Sequence, residues 1–203
     1  MIFQLTILFT ILMASLAMGM LIHTYQSRKK IFRNFQRLSS IPGAVKGEAV
    51  QKSVFAFPSF EGAAFGKKIS AFFHIAEGKQ TSVIYFTSTM EVKAAFSIFL
   101  KKEHFYRAVQ GARLDKNAGI PVPDIDPRFE IRSHDVEKTR QYFKDPRVIK
   151  RLSDLENYPA VQIGPDAVII SKPYDGIKDS RPEAVIGGFE ILKDLADALE
   201  SLD

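Results

Sequence analysis

From Ile2 to Ile22 almost every side chain is apolar, and the polar exceptions Gln4, Thr6, Thr10 and Ser15 carry no charge. No polar stripe interrupts the run, as the wet face of a water-soluble helix would require. About 20 residues at ~1.5 Å each cross a ~30 Å hydrocarbon layer. The pattern therefore predicts a transmembrane helix over 1–25, with Tyr25 as its aromatic interfacial anchor. Ser15-Leu16-Ala17 has the small-x-small spacing of a signal-peptide cleavage site. However, no Lys or Arg precedes residue 28, and the apolar run continues past Ala17. The missing positive start favours an uncleaved signal-anchor.

The next segment, 26–42, changes character. Ile31, Phe32, Phe35 and Leu38 fall at i, i+1, i+4 and i+7, and Arg28, Lys29, Arg33 and Arg37 take the remaining faces. This predicts a short amphipathic helix that lies on, or leaves, an anionic leaflet, with long basic side chains reaching for headgroups. The simpler alternative is a flank that only sets orientation. Ile41-Pro42-Gly43 stops any helix, so a soluble domain is expected over 43–203.

Within that domain, strands come first. Gln51 to Phe57 is rich in Val and Phe and reads as a strand ended by Pro58. Phe60 to Ile75 alternates with period two and reads as a half-buried strand. Glu77-Gly78-Lys79 is a turn, and Thr81 to Thr89 is a strand by its β-branched and aromatic content. Lys93 to Lys101 and Phe105 to Val109 read as a strand pair or one bent strand. Together these predict an antiparallel meander of four or five strands. Residues 111–127 hold Gly111, Gly119, Pro121, Pro123 and Pro127 and form a connection.

Helices follow. Phe129 to Arg132 is a short alternating strand, and Ser133 or Asp135 caps a helix from about Val136 to Phe143. Asp145-Pro146 is an acidic cap followed by Pro at the first helical position. Its helix carries Val148, Ile149, Leu152 and Leu155 and closes at Pro159. Val161 to Ile163 and Ala167 to Ile170 are strands joined by the Gly164-Pro165-Asp166 turn. A last helix starts at Pro182 or Gly187 and ends near Leu202, with Phe189, Leu192, Leu195, Ala196, Leu199 and Leu202 as its apolar stripe. The fold class is α+β: an N-terminal transmembrane helix, then a mostly antiparallel sheet with about three helices.

Charge sharpens this picture. The chain has 203 residues and a net charge of +5, and residues 1–27 hold no charged side chain. Arg28, Lys29, Lys30, Arg33 and Arg37 carry the whole excess, since 38–203 balance 23 basic against 23 acidic residues. A balanced folded part argues against nucleic acid as a partner. Positive flanks stay in the cytoplasm, which puts the domain on the cytosolic side of the cell membrane in a single-pass arrangement. The five basic residues are the candidate membrane-surface site. With no Cys in the chain, disulfides, thiolate zinc sites and cysteine nucleophiles are excluded.

Candidate chemistry is sparse. Ser133-His134-Asp135 holds the residue types of a hydrolase triad, but contiguous residues rarely flank one imidazole from two sides, and capping explains Ser133 and Asp135 better. Asp124 and Asp126 have part of a calcium-loop spacing without the further oxygen ligands. His23, His74, His104 and His134 form no local pair, and His74 and His104 read as solvent-facing. Gly62, Gly66, Lys67 and Lys68 lack the phosphate-loop spacing. Gly187-Gly188 reads as a flexible helix start rather than an anion site. Of the adjacent aromatic pairs Phe72-Phe73, Tyr85-Phe86 and Phe105-Tyr106, one member of each faces the outer side of a strand. No cofactor or metal is called for.

Residues 128–170 run from Arg128-Phe129-Glu130-Ile131-Arg132-Ser133 through Asp145-Pro146 to Gly164-Pro165-Asp166-Ala167-Val168-Ile169-Ile170. This stretch resembles a pattern in membrane-anchored bacterial proteins of unknown function: a strand ending in a polar step, two helices and a returning hairpin. The resemblance carries over no catalytic residue. The expected activity is binding or scaffolding of a protein partner at the lipid bilayer, not catalysis. The rival is a membrane-tethered, hydrolase-like enzyme whose site gathers dispersed residues such as His134 and Asp135.

Overall fold

A computed structural model describes residues 2–41, 45–77, 82–102, 120–122 and 125–202. Helix α1 (Ile2–Leu38) is continuous over 37 residues, a rod of about 55 Å. Among the described residues, nine strands follow as one sheet: β1 (Lys46–Val50), β2 (Ser59–Ala64), β3 (Lys67–Glu77), β4 (Ser82–Glu91), β5 (Ile98–Lys102), β6 (Ile120–Pro121), β7 (Phe129–Ser133), β8 (Ala160–Ile163) and β9 (Ala167–Pro173). Helices α2 (Val136–Tyr142) and α3 (Pro146–Leu155) lie between β7 and β8, and α4 (Pro182–Glu200) follows a 3-10 turn at Ile177–Ser180. The spatial order is β1-β2-β3-β4-β9-β8-β5-β7-β6, and every neighbouring pair is antiparallel. The expected α+β class is what the chain adopts.

The meander expected from the sequence holds for β1 to β4 and then breaks. The β8–β9 hairpin inserts beside β4, and β5 pairs with β8 and β7 instead. Period two reports which face of a strand is apolar, not which strand lies beside it. Three strand expectations shift. The stretch from Lys93 forms a strand only over Ile98–Lys102. Gln51 to Phe57 is a turn between β1 and β2, not a strand. Phe60 to Ile75 is two strands, because Phe65 and Gly66 take φ of 56° and 78° and fold a two-residue hairpin turn. Phe65 is a poor residue for that conformation, so nothing in its chemistry announces the turn. Phe105 to Val109, Asp124, His104 and the Pro42-Gly43 stop lie outside the described residues.

Capping follows the sequence closely. The Asp135 carboxylate accepts from Lys138 N at 2.9 Å, and the Asp145 carboxylate accepts from Arg147 N at 2.8 Å with Pro146 opening α3. The last helix begins at Pro182, so Gly187 and Gly188 sit inside α4 and not at its start. Gly188 is buried there, and a Cβ on it would meet Ser88 Oγ of β4 at 3.6 Å. A small residue lets the helix approach the sheet.

α4 and the lower part of α1 share the core with one face of the sheet. Ile31, Phe35 and Leu38 are fully buried beside Phe60, Ala71, Phe86 and Met90. The domain thus starts upstream of the boundary drawn at residue 42. The apolar stripe of 26–42 is covered by the sheet and is not free to lie on a leaflet.

Candidate membrane-proximal site

α1 has two environments. Phe3 to Ile22 is exposed on every side, with large apolar groups such as Phe9, Leu12 and Leu16 open. Past Tyr25, the positions 28, 31, 35 and 38 repeat at three- and four-residue steps and form one stripe facing the domain. Phe35 stands among Phe60, Phe73 and Phe86, with ring centroids 6.3, 6.2 and 6.3 Å away. Arg28 occupies the end of the same stripe nearest the exposed half.

The five basic residues read from the sequence do not act alike. The Arg28 guanidinium packs over the Phe57 ring and donates Nε–H to the Phe55 carbonyl at 3.4 Å. Phe57 stacks on Phe73 at 4.5 Å, and both pack edge-on to Tyr174. Burial lowers the Arg28 pKa from its usual value. Burial raises that of Tyr174, offset in part by a hydrogen bond from Ser27 and by the Arg28 charge. Lys29 reaches back toward Tyr25, 5.7 Å from its ring. Lys30, Arg33 and Arg37 line a cleft of about 620 Å³ with Asn34, Ile177, Arg181, Pro182 and Glu183 at the start of α4. Asn34 Nδ2 donates to Ser180 Oγ at 3.1 Å and closes one side of it. Arg181, a fourth cation of this cleft, was not legible from the sequence, since it is more than 140 residues downstream of Arg37.

A second cleft of about 600 Å³ lies between α3, β9 and α4, lined by Arg151, Tyr158, Lys172, Asp179, Gly188 and others. Several of its ionic groups are engaged in ion pairs. Lys172 bridges the buried Asp179 at 2.7 Å, Asp175 N donates to the same carboxylate at 2.6 Å, and Arg151 Nε reaches Asp194 at 2.7 Å. Burial pushes the Tyr158 hydroxyl up to about 12. Nothing in the local sequence around Asp179 marks it as a buried ion-pair partner.

The other residues singled out have local roles. Ser133 Oγ donates to the Ser97 carbonyl at 2.9 Å and accepts from Asp135 N at 3.1 Å, while Asp135 caps α2. The Asp126 carboxylate is taken up by Arg128, whose Nε lies at 2.9 Å and which also pairs with Glu156. His74 lies on the outer sheet face, stacked on Tyr85 at 5.3 Å, with Nδ1 3.0 Å from Thr87 Oγ1. Phe73 and Phe86 join the core, while Phe72 and Tyr85 occupy the outer face. Among the described residues, no group of three or more His, Asp or Glu side chains is arranged to hold a metal ion.

The fold has a counterpart of known structure. No protein-family model and no curated protein sequence matches the chain significantly. The crystal structure of the mycobacterial trehalose monomycolate transport factor A is similar, with a TM-score of 0.57 at 12% identity, covering 87% of this chain and 98% of that one. At that identity the likeness shows the fold.

Proposed function

We propose that this chain is a single-pass membrane protein whose α+β domain sits at the cytosolic leaflet and works as a binding or scaffolding module for a protein partner. One observation carries the reading. The same helix that exposes Phe3 to Ile22 on all sides buries Ile31, Phe35 and Leu38 in the domain, so the domain is held to any membrane the helix enters. An exposed apolar rod of that length is costly in water and suits a bilayer. The uncharged 1–27 followed by Arg28, Lys29, Lys30, Arg33 and Arg37 favours the cytosolic side by the positive-inside bias.

Binding is favoured over catalysis because the groups that would do chemistry are tied to each other, Lys172 to Asp179 and Ser133 to Asp135. The structural neighbour is a transport factor, which supports an accessory role at a membrane. The test is twofold. A reporter fused after Asp203 should read cytosolic, and crosslinking in native membranes should capture one recurrent protein partner. A periplasmic or extracellular reporter signal overturns the orientation. Absence of a crosslinked partner, with turnover in a hydrolase screen, overturns the binding role.

A further inference from the structure

The tether shows which end of the domain lies nearest the exposed half of α1. Arg28 lies three residues past Tyr25, about 4.5 Å along the helix axis, and its Nε–H meets the Phe55 carbonyl. With α1 spanning a bilayer up to Tyr25, the turn 52–56 between β1 and β2 lies at headgroup depth.

The sheet keeps the same direction. β3 runs from Lys67 to Glu77, and its core-facing positions 69, 71, 73 and 75 pass Phe73, beside Phe57, before reaching Ile75. Ile75 thus lies at the edge nearest the exposed half of α1. At the opposite end of β3, Lys67 pairs with Glu200 at the end of α4, and Arg147 of α3 donates to Ser201 at 2.9 Å.

Large apolar side chains are open at the near edge. Val54 is 56% exposed, Phe55 51% and Ile75 59%. Lys52 adjoins them in the turn, and Arg28 of α1 reaches the turn at the Phe55 carbonyl.

We propose that Val54, Phe55 and Ile75 rest in the interfacial layer of the bilayer that α1 crosses, giving the domain a second contact with an anionic leaflet. This rests on the reading of α1 as the membrane span. Apolar and aromatic tips ringed by Lys and Arg are the composition that an interface selects, the apolar part entering the acyl boundary and the cations meeting phosphates. Two points of attachment, the helix and the turn, fix the tilt of the domain over the leaflet.

The natural absence of Cys makes the test direct. The full chain carrying Val54→Cys, Phe55→Cys, Leu16→Cys or Ile149→Cys, each labelled with a polarity-sensitive fluorophore, is placed in vesicles of phosphatidylcholine and phosphatidylglycerol. Lipids with a nitroxide near the headgroup or deep in the acyl chain serve as quenchers. The expected result is a blue shift and loss of emission at positions 54 and 55 with the shallow nitroxide, and loss at 16 with the deep one. Position 149, beside Arg147 at the far end, is quenched by neither. If 16 is quenched while 54 and 55 behave like 149, the second contact is overturned and the span stands. If 16 is not quenched by the deep nitroxide, the span itself is overturned, and this inference with it.

Discussion

The Arg28 guanidinium sits over the Phe57 ring, 3.0 Å from its centroid. A residue that reads as a plain topology charge is thereby the clasp between the exposed rod and the domain. A cation over an aromatic face, half shielded from water, contributes about 1 kcal/mol. Arg28→Ala should lower stability by about that amount in urea unfolding of the detergent-solubilised chain. Arg28→Lys should recover only part of it, since an ammonium does not spread over the ring as a guanidinium does.

The buried stripe of α1 sets where the domain begins. A fragment starting at residue 26 should be soluble and monomeric by gel filtration. One starting at residue 43 should aggregate, because it bares the faces of Phe60, Phe73 and Phe86 that Phe35 covers. Phe35→Ala in the longer fragment should cost about 3–5 kcal/mol. A stable, monomeric 43–203 fragment would show that the helix is not part of the core.

Gly47 and Gly62 face each other across β1 and β2. A Cβ on Gly47 would land against the Glu61 carbonyl oxygen and 2.7 Å from the Gly62 Cα. Gly47→Ala should therefore destabilise the chain by about 1–3 kcal/mol, lowering the urea midpoint. Ala49→Gly on the same strand should cost less, about 1 kcal/mol.

Burial lowers the His74 pKa from 6.5. Below the unfolded value, the unfolded chain binds a proton that the folded chain resists, so stability falls as pH drops from about 7 toward the folded value and then levels off. His74→Gln should flatten that part of the pH profile, read as the thermal midpoint in steps from pH 7 to 5. Asp145 acts at lower pH. Its hydrogen bonds from Arg147 hold its pKa below the usual carboxylate range. The stability it lends is present above the unfolded pKa and disappears as pH falls through the folded one. Asp145→Asn should remove that acid-sensitive step.

The cleft of Lys30, Arg33, Arg37 and Arg181 should attract anionic lipid. In the 26–203 fragment, each cation near a charged surface contributes about 1 kcal/mol. Arg33→Ala with Arg37→Ala should then weaken co-sedimentation with phosphatidylglycerol vesicles by at least tenfold at low salt. Arg181→Ala should weaken it too, although it lies far along the chain. Equal binding by wild type and variants would remove the cleft from the membrane contact.

Caps, turns and helix stripes were legible because they are local. Asp135, Asp145-Pro146 and Gly164-Pro165-Asp166 act on neighbours within four residues, and each sits where its chemistry predicts. The Phe65-Gly66 turn was not legible, since its first residue is large and apolar and its left-handed backbone is stabilised by the sheet around it. The insertion of β8 and β9 beside β4 was hidden for a different reason: alternation marks a buried face and leaves the neighbour open.

The amino-acid order alone determined the uncharged apolar rod, the basic step after it and the α+β class, all consequences of spacing and charge along a single stretch of chain. Which basic residue clasps, which line a cleft, and that Ile31, Phe35 and Leu38 belong to the core were decided only in three dimensions. Those outcomes depend on Phe57, Phe73 and Arg181, brought to α1 by strand pairing and helix packing across long separations, and no local pattern encodes such contacts.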